Sequence, residues 1–242
     1  MALSRRISGG RTLIVRGTFF LLACVGTGRA ADVPPDQAAA IRRVDEAVLM
    51  RVNRIAGYTV TERYSVFHGD DGTHPVAEMT VKTTYRRETG KSYQILSQSG
   101  SALVRKLGLD PLLENERIIN LPGNVEHSWI MSTNYDMTLK PGTQILDGHM
   151  CLVFEIHPRR KAPNLVTGTL WVDAKDYTIA KLDGVASKAP SVFASVTHMT
   201  RQYAYVEGFS MATHARAESS TFLYGRTVVT IDYTGYQIEV KP

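Results

Sequence analysis

A chain of 242 residues, 43% of them hydrophobic, is long enough for one large β domain after a leader and too apolar to be disordered throughout. Its formal net charge of +5 belongs to the N-terminus: residues 1–30 hold five of the 28 basic side chains (Arg5, Arg6, Arg11, Arg16, Arg29) and no acid, which leaves 23 basic against 23 acidic residues. That balance excludes the basic surplus nucleic-acid binding needs, and no later run is long and apolar enough to span a bilayer.

The arginines precede a short apolar run at 18–25 and the small residues of Gly28-Arg29-Ala30, a secretory leader with cleavage before Ala31. Residues 1–30 are thus expected to be a signal peptide and 31–242 a single exported domain. Leu21-Leu22-Ala23-Cys24 also resembles a lipobox, so lipidation at Cys24 is the alternative and would make the protein a membrane-anchored lipoprotein. In both cases Cys151 is left alone, with no internal disulfide possible, and its apolar strand context predicts a small buried hydrophobe.

Residues 34–56 predict a helix. Ala38, Ile41, Val44, Val48, Val52 and Ile55 fall near the helical period, with Arg42, Arg43, Asp45, Glu46 and Arg51 opposite and Gly57 as the stop. Tyr58, Val60, Glu62, Tyr64 and Val66 then alternate as a strand. Ala77 to Tyr85 returns after the turn at 68–75, and Tyr93, Ile95 and Ser97 continue after the turn at 88–91. Three such strands make an antiparallel meander.

Residues 101–116 break the β rhythm. Leu103, Val104, Leu107, Leu112 and Leu113 have helical spacing, and Gly108 and Pro111 predict two short pieces rather than one helix. Strands are expected to resume at Trp129 and run to the end, punctuated at Pro141-Gly142, Asp147-Gly148, Gly208 and Gly225. Within 148–184 the apolar runs Met150 to Ile156, Thr169 to Val172 and Tyr177 to Leu182 alternate with turn residues, Asp183-Gly184 among them.

Catalytic patterns are incomplete. Gly90-Lys91-Ser92 lacks the earlier glycine of a phosphate-binding loop, because Tyr85 stands there. Gly208-Phe209-Ser210-Met211-Ala212 approximates a nucleophile elbow, but a β-like segment follows where a helix is required. His68 and His74 flank a turn explained by its Asp and Gly content, and no His/Cys pairing has zinc spacing. The sequence therefore assigns no catalytic residue, no metal and no cofactor, and the protein is read as a non-enzyme.

The strand ends Leu170-Trp171-Val172-Asp173 and Lys181-Leu182-Asp183-Gly184 resemble the LolA/LolB-like outer-membrane lipoprotein-sorting proteins, in their secreted branch of unassigned function. Asn134-Tyr135-Asp136, Lys188 to Phe193 and Val229 to Tyr236 carry the same resemblance. It implies a mainly β fold with flanking helices: an open antiparallel β half-barrel with an N-terminal helix and a helical lid insert. It also implies a periplasmic carrier or sensor whose partners are lipid or lipoprotein acyl chains, with peripheral membrane contact only. The arginine that governs cargo release in the family prototype has Arg54 and Arg63 as nominal counterparts.

A half-covered concave face lets apolar side chains line a cavity for an acyl chain. The expected lining is Val60, Tyr64, Met79, Val81, Tyr93, Ile95, Leu103, Leu107, Leu112, Trp129, Met131, Phe154 and Trp171. The same residues packed into a closed core would instead suit a regulatory or structural module binding another envelope protein. A third alternative is a secreted hydrolase with an unrecognised site.

Overall fold

The structure, a computed structural model, describes residues 36–69, 71–188, 196–221 and 225–241. The leader, the Ala31 cleavage site, Cys24, Asp70 and most of the 188–193 motif lie outside these residues.

The first helix, α1 (Gln37–Arg54), starts at Asp36, whose carboxylate caps it by accepting the Ala39 N–H at 3.2 Å. Arg51 and Arg54 occupy its last turn, where the helix dipole favours cations. Its buried residues are Ala40, Val44, Ala47 and Val48. Continued by one turn at helical spacing, that stripe reaches Arg51, which the sequence places on the polar face. Ile55 and Gly57 belong to the next strand, not to the helix. At Gly57 an added Cβ would stand 2.7 Å from the Tyr85 carbonyl oxygen, so the glycine serves strand packing rather than helix termination.

Ten antiparallel strands follow: β1 (Ile55–His68), β2 (Ala77–Arg86), β3 (Gly90–Gly100), β4 (Tyr135–Leu146), β5 (His149–Pro158), β6 (Val166–Asp173), β7 (Ile179–Ala186), β8 (His198–Val206), β9 (Phe209–Thr221) and β10 (Gly225–Val240). They form one sheet in the order β3-β2-β1-β10-β9-β8-β7-β6-β5-β4. Every neighbouring pair is a sequential hairpin except β1 with β10, which pair from Ile55↔Val240 to His68↔Thr227. β3 and β4 are the two edges, so the sheet stays open, as the expected half-barrel requires.

Strands begin at Tyr135, not at Trp129; a 3-10 turn at Val125–Ser128 precedes them. Tyr177 takes φ 64° in the turn before β7 and so leaves the strand. Gly184 lies inside β7, paired with Gly168 of β6, where an added Cβ at Gly168 would meet the Asp183 carbonyl oxygen at 2.2 Å. Pro141-Gly142 likewise makes an irregularity within β4, not its end.

Between β3 and β4 the chain is helical from Ala102 to Ile119: α2 (Ala102–Val104), a π-turn (Arg105–Leu109) and α3 (Asp110–Ile119). The two separate pieces expected from Gly108 and Pro111 are one run. Proline sits at the first turn of α3, and the π-turn before it absorbs the missing N–H.

Three apolar clusters fill the enclosed face. Ala40 and Val44 of α1 pack with Tyr135, Met137, Phe154, Ile156, Leu170 and Leu182. Leu109 and Leu113 of the insert pack with Tyr64, Val66, Met79 and Val81. Ile55, Phe209 and Met211 form a smaller group. Asp45 fixes α1 to the loop before β4 by accepting the Ser132 N–H at 2.9 Å and its hydroxyl at 2.5 Å.

Candidate ligand cavity

Beside the first and third clusters, and sharing Tyr135, Leu182, Phe209 and Met211 with them, lies a cavity of about 270 Å³. One face of the sheet forms its floor: Tyr58 and Glu62 of β1, Tyr85 of β2, Lys91 of β3, Leu182 of β7, Arg201 and Tyr203 of β8, Met211 of β9, Tyr233 and Tyr236 of β10. Its roof is Ala47, Val48 and Arg51 of α1, Glu116 and Ile119 of α3, and Val125 to Ile130 in part. A single sheet can put so many strands around one volume only if it curves, which makes this face the concave one.

The lining is half apolar, half polar, and the polar part is a network. Glu62, 1% exposed, accepts a hydrogen bond from the Tyr64 hydroxyl. Lys91 Nζ stands 3.1 Å from Glu116 Oε2, and the Asn120 side chain donates to the Glu116 carbonyl at 2.7 Å. Burial works against ionisation of the pair. At Glu116 the charges of Lys91 and Arg201 outweigh it, and the carboxyl lies below its ordinary value; at Lys91 the Glu116 charge outweighs it, and the ammonium lies well above. Burial raises the phenols of Tyr58, Tyr233 and Tyr236, which therefore stay protonated as donors. Tyr58 stacks on Tyr85 with centroids 5.1 Å apart and meets Tyr236 edge-on at 5.8 Å.

Gly90 sets the position of Lys91. It takes φ 81°, and an added Cβ would lie 2.5 Å from the Asn120 carbonyl oxygen. The turn before β3 is thus seated against the end of α3, which brings Lys91 to Glu116.

Of the residues expected to line a cavity, Trp129 lines this one. Tyr64, Met79 and Val81 are buried beneath the insert, with Tyr93 and Leu112 packed against them. Val60 is buried in β1, Met131 in the loop before β4, and Phe154 under α1. Ile95 is exposed on the edge strand, and Leu103 and Leu107 are 57% and 60% exposed on the insert. Trp171 lies on the other face, between core-facing Leu170 and Val172; its indole N–H donates to Gln144 at 2.8 Å, and Lys181 sits over its ring at 4.9 Å.

Ser210 of the elbow-like motif lies in β9 and donates to the Ile179 carbonyl oxygen at 2.7 Å. Arg63 pairs with Glu78 at 2.6 Å, and Arg54 lies over the Phe209 ring at 5.3 Å. Among the described residues no three His, Cys, Asp or Glu side chains cluster as a metal site, and no helix is long and apolar enough to cross a membrane. The sequence reading missed Arg51, Lys91, Glu116, Arg201 and the phenols. One signal was present: Glu62 interrupts an otherwise apolar and aromatic face from Tyr58 to Val66, where a carboxylate needs a partner.

No protein-family model matches the chain, and no curated protein matches it by sequence. Solved structures do. A LolA superfamily protein from Nitrosomonas europaea is 12% identical, with a TM-score of 0.44 over 85% of this chain and 94% of that one. A DUF1329 family protein from Desulfovibrio piger is 16% identical, also with a TM-score of 0.44 over 85% and 94%. A domain of a lipoprotein-sorting protein, described as outer-membrane, from Vibrio parahaemolyticus is 11% identical, with a TM-score of 0.47 over 84% and 93%. At such values the likeness is one of outline. The architecture itself, an open antiparallel half-barrel with a helix and a helical insert on its concave side, stands on the strand order and pairing above.

Proposed function

We propose that this protein binds a hydrophobic ligand with an acyl chain in the concave cavity, as a carrier or sensor in the periplasm. The cavity carries the reading: it is floored by a curved sheet, roofed by two separate helical elements, and given apolar surface by Met211 and Leu182 below and Ile119 and Val48 above. Each methylene moved from water to such a surface contributes about 0.8 kcal/mol. About 270 Å³ lies just under the usual range of small-molecule pockets, so the closed form suits one chain and a small head. Larger cargo, such as a lipoprotein anchor, requires the insert to lift.

The network supports binding over acid catalysis. A general acid at neutral pH needs a raised carboxyl, whereas Glu116 is lowered and already paired with Lys91. The Ser210 hydroxyl is turned to a backbone oxygen.

The test is displacement of a fluorescent acyl-chain probe from the purified protein by unlabelled chains of increasing length. Saturable displacement that strengthens per methylene is expected. A protein that never takes up the probe, and yields no lipid on extraction from its native host, overturns the proposal.

A further inference from the structure

The charged side chains around the cavity are Arg51, Glu62, Lys91, Glu116 and Arg201. Three cations face two carboxylates, which leaves one positive charge in surplus. Lys91 and Glu116 are matched at 3.1 Å, whereas the Arg51 side chain has no hydrogen bond or ion pair among the described residues. Arg51 continues the buried stripe Ala40, Val44, Ala47 by one turn, so the helix brings it, half-buried, to the cavity lining. Arg51, Lys91 and Arg201 come from α1, β3 and β8 and line the same cavity, with Tyr58 and Glu116 among them. The surplus lies in a half-buried lining, where a cation is screened less than at an open surface and gains more from an anion beside it.

We infer that the ligand is a single-chain amphiphile with one negative charge at its head, a carboxylate, held by Arg51, Lys91 and Arg201. Its chain lies between the apolar floor and roof residues and its head cancels the surplus. The inference rests on the binding reading above and adds the class of head group to it.

Calorimetric titration of the full chain with dodecanoate, dodecanol, dodecylamine and acetate tests it. Dodecanoate is expected to bind at least about tenfold tighter than dodecanol, as for a charge-assisted contact, with dodecylamine weakest and acetate undetected. Arg51→Gln should bring acid and alcohol to near parity without lowering the melting temperature, and Arg51→Lys should restore the preference. Glu116→Gln raises the surplus to two and should widen the ratio. If the wild type binds dodecanol as tightly as dodecanoate, the head-group inference fails while chain binding stands. A ratio unchanged in Arg51→Gln removes Arg51 from the site. Binding of acetate as tight as dodecanoate leaves an anion site and no amphiphile. If no chain binds, the binding reading falls and this one with it.

Discussion

Lys91 of β3 and Glu116 of α3 meet at 3.1 Å with 11% and 24% of their side-chain surface accessible, and that surface opens onto the cavity. The pair joins the helical insert to the edge of the sheet beside the ligand space. Removing one partner leaves the other charged and enclosed. Glu116→Leu alone should cost about 3 kcal/mol in urea denaturation, and Lys91→Met with Glu116→Leu should recover most of it. A double variant no more stable than the single one would show that the pair is not coupled.

The same pair sets a pH window. Glu116 is lowered from 4.5, so its contribution is full above that value and is lost as pH falls through the folded-state value. Lys91 is raised from 10.5, so its contribution is full below that value and is lost as pH rises through the folded-state value. The melting-temperature gap between wild type and Glu116→Leu should therefore be flat between about pH 5 and 10 and close outside it. A gap that peaks sharply near neutrality would point to a histidine instead.

Gly90→Ala should destabilise by about 2 kcal/mol or more, because a left-handed residue is strained and its Cβ would meet the Asn120 oxygen at 2.5 Å. Gly142→Ala shares a positive φ of 79° but has open space around it, so about 1 kcal/mol is expected there. Equal losses in chemical denaturation would remove the contact with α3 as the cause.

Leu109 and Leu107 stand two residues apart on the insert, yet one is 1% exposed and the other 60%. Leu109→Ala should cost about 3 kcal/mol and Leu107→Ala under about 0.5 kcal/mol. The reverse order in denaturant midpoints would mean that the insert is rotated in solution.

Cys151 is buried, and its thiol is pushed up by that burial and by Asp173 and Asp147. Labelling by a thiol reagent should be slow in the native protein and become rapid in denaturant. Immediate native labelling would contradict the packing of β5.

The meander and the insert were legible because each rests on local pattern. Period-two alternation in Tyr58 to Val66 and Ala77 to Tyr85 matches β1 and β2, and Asp147 and Gly148, with φ 50° and 83°, make the hairpin turn the sequence suggests. Errors arose where tertiary packing overrides local chemistry. Gly57 and Gly184 look like punctuation but stand inside strands where a neighbouring backbone comes too close for a side chain. Pro111 looks like a break, and the π-turn removes the need for its N–H.

The cavity was less legible than the sheet. Apolar periodicity finds what packs, and Met79, Val81 and Phe154 do pack, beneath helices. What lines the space is polar and comes from elements far apart in sequence, such as Arg51, Lys91, Glu116 and Arg201. Their meeting depends on the curvature of the sheet, which leaves no local mark, and on the seating of the Gly90 turn against α3, which the turn residues alone do not reveal.

The pairing of β1 with β10 has a kinetic side. It is a zip between the first strand and the last, and it is the sole ladder joining β1–β3 to β4–β10. Until β10 exists, two half-sheets stand with raw borders, and the floor residues Glu62 and Tyr233, opposite each other across that zip, cannot meet. Such long-range closure slows folding and prolongs the time when unpaired strand edges invite aggregation. A chain cut short by one strand is therefore expected to lose the ligand space outright rather than bind more weakly.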